Sequence, residues 1–535
     1  MEDIFNLGDL LAYQAAIRGT DSAVEDGGTT LTYRQLHTTA CEVSRRLSNR
    51  GVRPGDRVVV LLPRSAGALA CFFGATRLGA VAVLINESLH ARQIEHIIRH
   101  SGARLVITDG RLSGRLGPAR RLLALLPDEI GAVGLIPPAP TMTPEAEPES
   151  RPIGRDLAAL IYTSGSTGLP KGVMVTHANL VAGARIVAGY LGLTPADRTL
   201  AVLPWSFDAG LNQPLATFWA GGTLVIGGSS FAPHLCRTLK AARITGLAGV
   251  PPLWEMLVRR PSPFLLKEFP DLRYLTNTGG PFRLEALTRI RSAHPQTSIY
   301  LMYGLTEAFR STYLPPGLID DRPGSMGRAI PDTEILVLDE AGRPCVSGET
   351  GELVHRGPTV AAGYWNDPEA TAKAFRPHPF AAPGSVPEHV VYSGDQVRRD
   401  EEGFLYYVGR LDEQFKSRGF RVNPTEIESE LFASGLVAEA VVFPDGETGG
   451  DTCITAAVVP VDPESFTVEA LGSHCRAVLP AHQRPHRYSI LTQLPRTASG
   501  KVDRMAAREE ASRDVLAGQA PGPLRHERKV PRAGR

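Results

Sequence analysis

The chain has 535 residues, room for three or four domains or subdomains at about 150 residues each, and 43% of them are hydrophobic, enough to fill the cores. Its 57 basic and 56 acidic side chains leave a formal charge of +1, which excludes a global basic field for gripping nucleic acid or an anionic membrane. The six cysteines (Cys41, Cys71, Cys236, Cys345, Cys453, Cys475) are scattered, with no CxxC pair and no histidine at finger spacing, which argues against a disulfide framework or a structural zinc site.

The opening MEDIFNLGDLL is acidic and lacks the basic and apolar regions of a secretory leader. No apolar run approaches the about 20 residues of a membrane span, so a cytoplasmic protein is expected. Alternation of strands and helices follows: a strand at 57–63 (RVVVLLP), a helix ending in Gly, a strand at 80–85 (AVAVLI), a helix at ARQIEHIIRHSG and a strand at 103–109 (ARLVITD). Runs apolar on both faces and separated by helices predict a parallel sheet covered on both sides. The Pro- and Glu-rich stretch 135–152 reads as an exposed connection. A second unit of the same kind begins at TLVIGG (223–228), continues through a helix near HLCRTLKAARIT and reaches LAGVPP. Beyond about residue 325 the pattern turns strand-rich (EILVLDE, GELVHRG, GFLYYVGR), predicting a β-subdomain. From Asp412 a compact α+β segment carries a helix at TEIESELFAS and strands at AEAVVFP and TAAVVPV. The expected division is 1–411, 412–511 and a disordered tail over 512–535 whose basic excess solubilises it.

The most informative run is LIYTSGSTGLPKGVMVTH, residues 160–177. A strand opens into Thr163, Ser164, Gly165, Ser166, Thr167 and Gly168, then Pro170 and Lys171. Glycines let backbone N–H groups close around phosphate oxygens, hydroxyls add donors, and the lysine adds charge. It is not a Walker A loop, which would need Gly at Pro170 and Ser or Thr at Gly172.

YTSGSTGLPKG resembles the phosphate-binding signature of the AMP-forming adenylating superfamily of acyl- and aryl-CoA ligases, amino-acid adenylation domains and firefly-type luciferases. MYGLTEA (302–308), YSGDQ (392–396), GRLDEQFKSRGFRVNPTEIE (409–428) and PRTASGKVDR (495–504) follow in that family's order and approximate spacing, spanning nearly the whole chain apart from the tail. The resemblance implies an α/β fold: a large N-terminal domain of two parallel-sheet subdomains plus a β-subdomain, and a small mobile α+β C-terminal domain. It also implies ATP and Mg²⁺ as cofactors, attack of a carboxylate on the α-phosphate, release of pyrophosphate, and transfer of the acyl group from AMP to a thiol, usually of phosphopantetheine.

Carried over residue by residue, Ser164, Ser166, Thr167 and Lys171 would hold the departing phosphates. Glu307 resembles the Mg²⁺ carboxylate, Thr306 a phosphate-side hydroxyl, and Mg²⁺ suits one carboxylate plus phosphate oxygens. Met302, Tyr303 and Gly304 with Gly279 and Gly280 resemble the adenine pocket; the less favoured reading of Tyr303 is simple core. Asp395 matches the ribose carboxylate, Arg410 a nearby ribose or phosphate contact, and Asp412 the interdomain hinge. Lys501 resembles the lysine that bridges substrate carboxylate and α-phosphate, a reading supported by the scarcity of lysine, seven in all. Gly419 resembles the loop lining the thiol tunnel. Phe415 and Leu305 depart from the commoner aliphatic residue and from the proline of peptide synthetases; Leu305 leans toward the acyl-ligase side.

For the acid, Phe207-Asp208 resembles the Phe-Asp of amino-acid adenylation domains, whose Asp meets the substrate ammonium. A buried carboxylate needs a cation, either a substrate amine or Arg310, which could instead bind a second substrate carboxylate. Ala209, Asn212, Gly249, Thr276, Thr278, Met302 and Ser311 complete the implied pocket, too small and polar for a long aliphatic chain. The whole also resembles stand-alone ligases of bacterial biosynthetic clusters. The expectation is a ligase that adenylates a small, amino-bearing acid and passes it to a carrier protein acting in trans. The alternatives are a CoA ligase for an acyl or aryl acid, transfer to an amine or other nucleophile, and, in another class, a non-catalytic nucleotide-binding module; the intact Lys171, Glu307, Asp395 and Lys501 speak against the last.

Overall fold

The computed structural model describes residues 4–116, 123–125, 151–164, 170–228, 231–259, 261–417, 420–448, 451–497 and 501–516. They fall into two units: the larger runs to Val408 and includes Lys501, and the smaller begins at Gly409 and includes residues 502–516. No helix among the described residues is long and apolar enough to cross a membrane.

In the larger unit a six-stranded sheet runs in the order Leu123–Leu125, Leu105–Thr108, Arg57–Leu61, Val81–Leu84, Leu157–Ser164, Pro170–Thr176. All its pairs are parallel except the last, a hairpin across residues 165–169. The predicted apolar runs form these strands because both faces are covered. Val58, Val60 and Ile161 pack on one side with Phe72 and Phe73 of the helix Ala66–Arg77. Val59, Leu61 and Leu160 pack on the other with Ile94, Ile97 and Ile98 of the helix Ala91–Ser101. The latter helix ends where Gly102 turns left-handed, φ 61°.

The second sheet has a parallel centre in the order Ser22–Asp26, Thr223–Ile226, Arg198–Ala201, Gly246–Gly249, Tyr274–Asn277, Ser298–Tyr303. It does not stop at the expected subdomain border. From Ser298–Tyr303 the hydrogen-bonded path turns antiparallel into Thr312–Leu314 and Ser325–Ala329 and reaches the strand-rich region. There Thr350–Arg356 lies between Glu334–Leu338 and His389–Arg399.

The smaller unit is α+β. Val437–Thr448 pairs antiparallel with Asp451–Pro460, which pairs parallel with Arg487–Ile490, and the helices Pro424–Ala433 and Val468–Val478 contribute to its core. Buried Glu428 accepts from Val442 N at 2.8 Å and Arg504 Nη2 at 2.7 Å; burial nevertheless raises its pKa. The helix Arg504–Leu516 passes through Ser512, where a tail was expected, because Ala507 and Ala511, one turn apart, bury against Val441 and Phe443. The rest of the expected tail, and residues 135–150 of the expected connection, lie outside the described residues.

Candidate active site

The phosphate motif forms the hairpin of Leu157–Ser164 with Pro170–Thr176, in which Thr163 stands opposite Lys171. The side chain of Ser164, and Gly165, Ser166, Thr167 and Gly168, lie outside the described residues. Lys171 Nζ is 3.4 Å from Asp367 Oδ2 and 5.5 Å from the Tyr364 ring centroid. Asp367 also caps the helix Pro368–Ala374 by accepting from Ala370 N at 3.0 Å. That amide, and Lys171, hold its carboxyl below the usual range.

Tyr364 joins this corner to the next motif. Its hydroxyl donates to Glu307 Oε1 at 2.7 Å, so one side chain offers a ring face to Lys171 and a hydrogen bond to Glu307. Among the described residues no group of three His, Cys, Asp or Glu is placed to hold a metal. A lone carboxylate nevertheless fits Mg²⁺ that takes its remaining ligands from phosphate and water. Thr306, next to Glu307, is buried.

Met302 and Tyr303 end the strand Ser298–Tyr303, and the Tyr303 hydroxyl donates to the carboxylate of Asp395, on the strand His389–Arg399. Two of the sequence motifs thus meet at this point. The Tyr303 ring lies nearly parallel to the His355 ring, centroids 6.0 Å apart at 15°. His355 is 1% exposed with neither ring nitrogen hydrogen-bonded, and burial pushes its pKa down to about 3. Gly304 is a tight position, since a Cβ there would stand 3.2 Å from Arg310 Cα.

Gly279 and Gly280 follow the strand Tyr274–Asn277; Gly279 is left-handed, φ 79°, and Asn277 Nδ2 donates to Gly280 O at 2.9 Å. Lys501 comes to this turn: a Cβ on Gly279 would lie 3.5 Å from Lys501 Cε, and Lys501 Nζ is 6.0 Å from the Phe207 ring centroid.

Asp208 is the first residue of the helix Asp208–Ala220, where the helix dipole favours an anion. Arg310 Nη1 lies 3.4 Å from its Oδ2, and both side chains are about 5% exposed or less. The carboxylate is therefore answered within the chain. Arg310 is delivered by the left-handed Phe309, φ 46°, whose ring occupies the space a Cβ on Gly183 would need, 2.5 Å away. Asn212 Oδ1, Arg310 Nε and Ser311 Oγ are buried without hydrogen-bond partners. Ala209, Thr276 and Thr278 are buried too, and Gly249 leaves room for Trp254, 2.5 Å from where its Cβ would be. In the smaller unit Arg410 pairs with Asp412 at 2.8 Å, both partly exposed, while Gly419 lies outside the described residues.

Tyr364, Asp367 and His355 escaped the motif reading. Only Asp367-Pro368 carried a signal, a capping residue followed by proline at the first helical position.

The profile of the AMP-binding enzyme family matches residues 11–365, and that of the AMP-binding enzyme C-terminal domain matches 426–501. The chain belongs to the AMP-binding enzyme family. It is 31% identical over 507 residues to a feruloyl-CoA synthase of Amycolatopsis sp, covering 93% of this chain and 97% of that one. It is 32% identical over 480 residues to a component of the linear gramicidin synthase of Brevibacillus parabrevis, covering 89% of this chain but only 6% of that much longer relative. Among solved structures it resembles the anthranilate CoA ligase AuaEII in complex with anthranoyl-AMP (TM-score 0.82, 26% identity, 96% of this chain and 98% of that one). It also resembles the Bacillus subtilis o-succinylbenzoate coenzyme A synthetase in complex with ATP and magnesium ion (TM-score 0.81, 26% identity, 93% and 99%). The α/β fold with a small C-terminal domain is that of these enzymes.

Proposed function

We propose that this chain is an AMP-forming acid–thiol ligase for a small carboxylic acid. A carboxylate oxygen attacks the α-phosphorus of ATP, the bond to the β-phosphate bridging oxygen breaks, and pyrophosphate leaves. A thiol, of CoA or of a carrier protein's phosphopantetheine, then attacks the acyl carbon and AMP departs. The observation that carries this reading is Tyr364 between Lys171 and Glu307, which puts a cation and a carboxylate at one corner. Ser164, Ser166, Thr167 and Lys171, joined by the ATP-binding Thr163, hold the departing phosphates, and Mg²⁺ bound at Glu307 would neutralise phosphate charge. Asp395, aligned by Tyr303, holds the ribose. Lys501 bridges the acid and the α-phosphate during adenylation, and Asp412 is the hinge between the two half-reactions.

The acid follows from Asp208 and Arg310. An ammonium anchored on Asp208 would have to enter a pair that is already closed, which favours an acid that does not need Asp208. The unpartnered Asn212 Oδ1 and Arg310 Nε favour one with a polar substituent offering a donor and an acceptor. Acid-dependent pyrophosphate release with ATP and Mg²⁺, across amino acids, dicarboxylates and hydroxy- or amino-aryl acids, tests this. A winner without an aliphatic ammonium supports it; a strict requirement for one returns Asp208 to the amine. Comparing CoA with a holo-carrier protein then identifies the thiol.

A further inference from the structure

We propose that His96 and His100 are positioning residues that set the register and reach of the Thr163–Lys171 pair, and through it the hold on the β- and γ-phosphates of ATP. The inference rests on reading Thr163 and Lys171 as phosphate ligands.

The two histidines sit one turn apart on the helix Ala91–Ser101 and stack, centroids 5.4 Å apart at 25°. Each reaches a different strand of the phosphate hairpin. His96 Nε2 lies 3.1 Å from the carbonyl oxygen of Pro170, to which it must be the donor. His100 Nδ1 shares a hydrogen bond with the Tyr162 hydroxyl at 2.9 Å, the two rings meeting edge to face. In the hairpin, Tyr162 stands opposite Gly172, Thr163 opposite Lys171 and Ser164 opposite Pro170. The two hydrogen bonds therefore fall on either side of the Thr163–Lys171 pair, one on each strand.

Local features make the bracket necessary. Pro170 has no N–H to give to the ladder at the loop end of the hairpin, so its register there needs another tie. Gly172 lets the Tyr162 ring lie close over it, since a Cβ would stand 3.0 Å from Tyr162 Cζ. Tyr162 and Met174 pack on the face covered by the helix Ala91–Ser101, whereas Ile161, Val173 and Val175 pack on the other, with the helix Ala66–Arg77. By alternation Thr163 and Lys171 share the second face. The histidines thus touch neither phosphate ligand and act through backbone position. A further tie runs the same way: Asn366 Nδ2 donates to His100 O at 3.4 Å, next to Asp367, the partner of Lys171. Phosphoryl transfer is governed by placement, so small shifts here carry large effects.

The test compares the affinities of the full chain for ATP and for AMP by calorimetry, because AMP lacks the two phosphates concerned. His96→Leu and His100→Leu should each weaken ATP binding about tenfold, the scale of a lost hydrogen bond or two, and leave AMP binding within about twofold. His96→Gln, which can donate from the Nε2 position, and His100→Asn, which reproduces Nδ1, should recover most of the loss. Tyr162→Phe, a smaller change, should repeat the His100→Leu effect even if a leucine variant fails to fold. Unchanged ATP affinity, equal losses for ATP and AMP, or failure of both conservative variants would overturn the proposal. An unsubstituted chain that binds ATP no better than AMP would remove the phosphate reading of Thr163 and Lys171, and the inference with it.

Discussion

Asp208 and Arg310 close on each other at 3.4 Å, one from the first turn of a helix and the other from the residue after a left-handed phenylalanine, both almost wholly buried. Taking two charges out of water costs several kcal/mol for each, offset only while both are present. Arg310→Met alone is expected to destabilise the protein by about 3 kcal/mol, because it leaves Asp208 buried and unpaired. Adding Asp208→Leu to it should recover much of that loss. Urea unfolding of the two variants checks this, and equal stability of single and double variants would show that the pair does not couple. If the pair is structural, Asp208→Asn should also leave the order of preferred acids unchanged.

The Tyr364–Glu307 hydrogen bond aims the carboxylate assigned to Mg²⁺ while the same ring lies by Lys171. Tyr364→Phe keeps the ring and removes the donor. A hydrogen bond to a charged group contributes about 1.5–3 kcal/mol. The Mg²⁺ concentration that gives half-maximal pyrophosphate release should therefore rise about tenfold, with little change in KM for the acid. An unaltered Mg²⁺ titration would separate Tyr364 from the metal carboxylate.

The sequence showed what depends on neighbours along the chain and hid what depends on the fold. Arg57–Leu61 and Val81–Leu84 were legible because strands buried on both faces are apolar throughout. Tyr303 and Asp395 stood out through their motifs, but their meeting joins positions 92 residues apart, which no local pattern encodes. Tyr364 lies 57 residues from Glu307, and a tyrosine in an irregular stretch announces no chemistry. Asp208 and Arg310 stood out through their resemblance to amino-acid adenylation domains, and their pairing was one reading among others, because a buried carboxylate needs a cation but the sequence does not say which. The continuity of the second sheet into the strand-rich region was not legible, because strand order is a tertiary property.

Two buried histidines make stability depend on pH. Burial lowers His355 from the ordinary 6.5 to about 3 and His177 to about 4; His177 Nδ1 also accepts from Leu7 N at 3.2 Å, which requires that nitrogen to be unprotonated. In both, the folded pKa lies below the unfolded one, so between pH 6.5 and about 4 the unfolded chain binds more protons. Stability is then full above about pH 6.5 and falls as the solution is acidified, by up to about 1.4 kcal/mol per pH unit for each group. His355→Phe keeps a ring against Tyr303 and removes one of the two protons. Its unfolding free energy, measured in denaturant at pH 7, 6 and 5, should fall less steeply than that of the unsubstituted protein. Parallel slopes would mean that His355 is charged or solvated in the folded state.

In the proposed role, Lys501 is expected to separate the two half-reactions. It stands by the left-handed Gly279 turn and the Phe207 ring, next to Asp208 in the chain. In that role its ammonium would meet both the incoming carboxylate and the α-phosphate and ease their mutual repulsion. Attack of a thiol on a finished acyl-adenylate has no such repulsion. Lys501→Ala is therefore expected to slow acid-dependent pyrophosphate release about a hundredfold or more, the scale of one preorganised charge contact. It should leave thioester formation from a supplied acyl-adenylate within a few-fold. Single-turnover assays of each half-reaction on the same preparation decide the matter. Equal loss in both would place Lys501 in the shared binding of the acyl-adenylate, and no change in either would leave the neutralisation of the carboxylate to another cation.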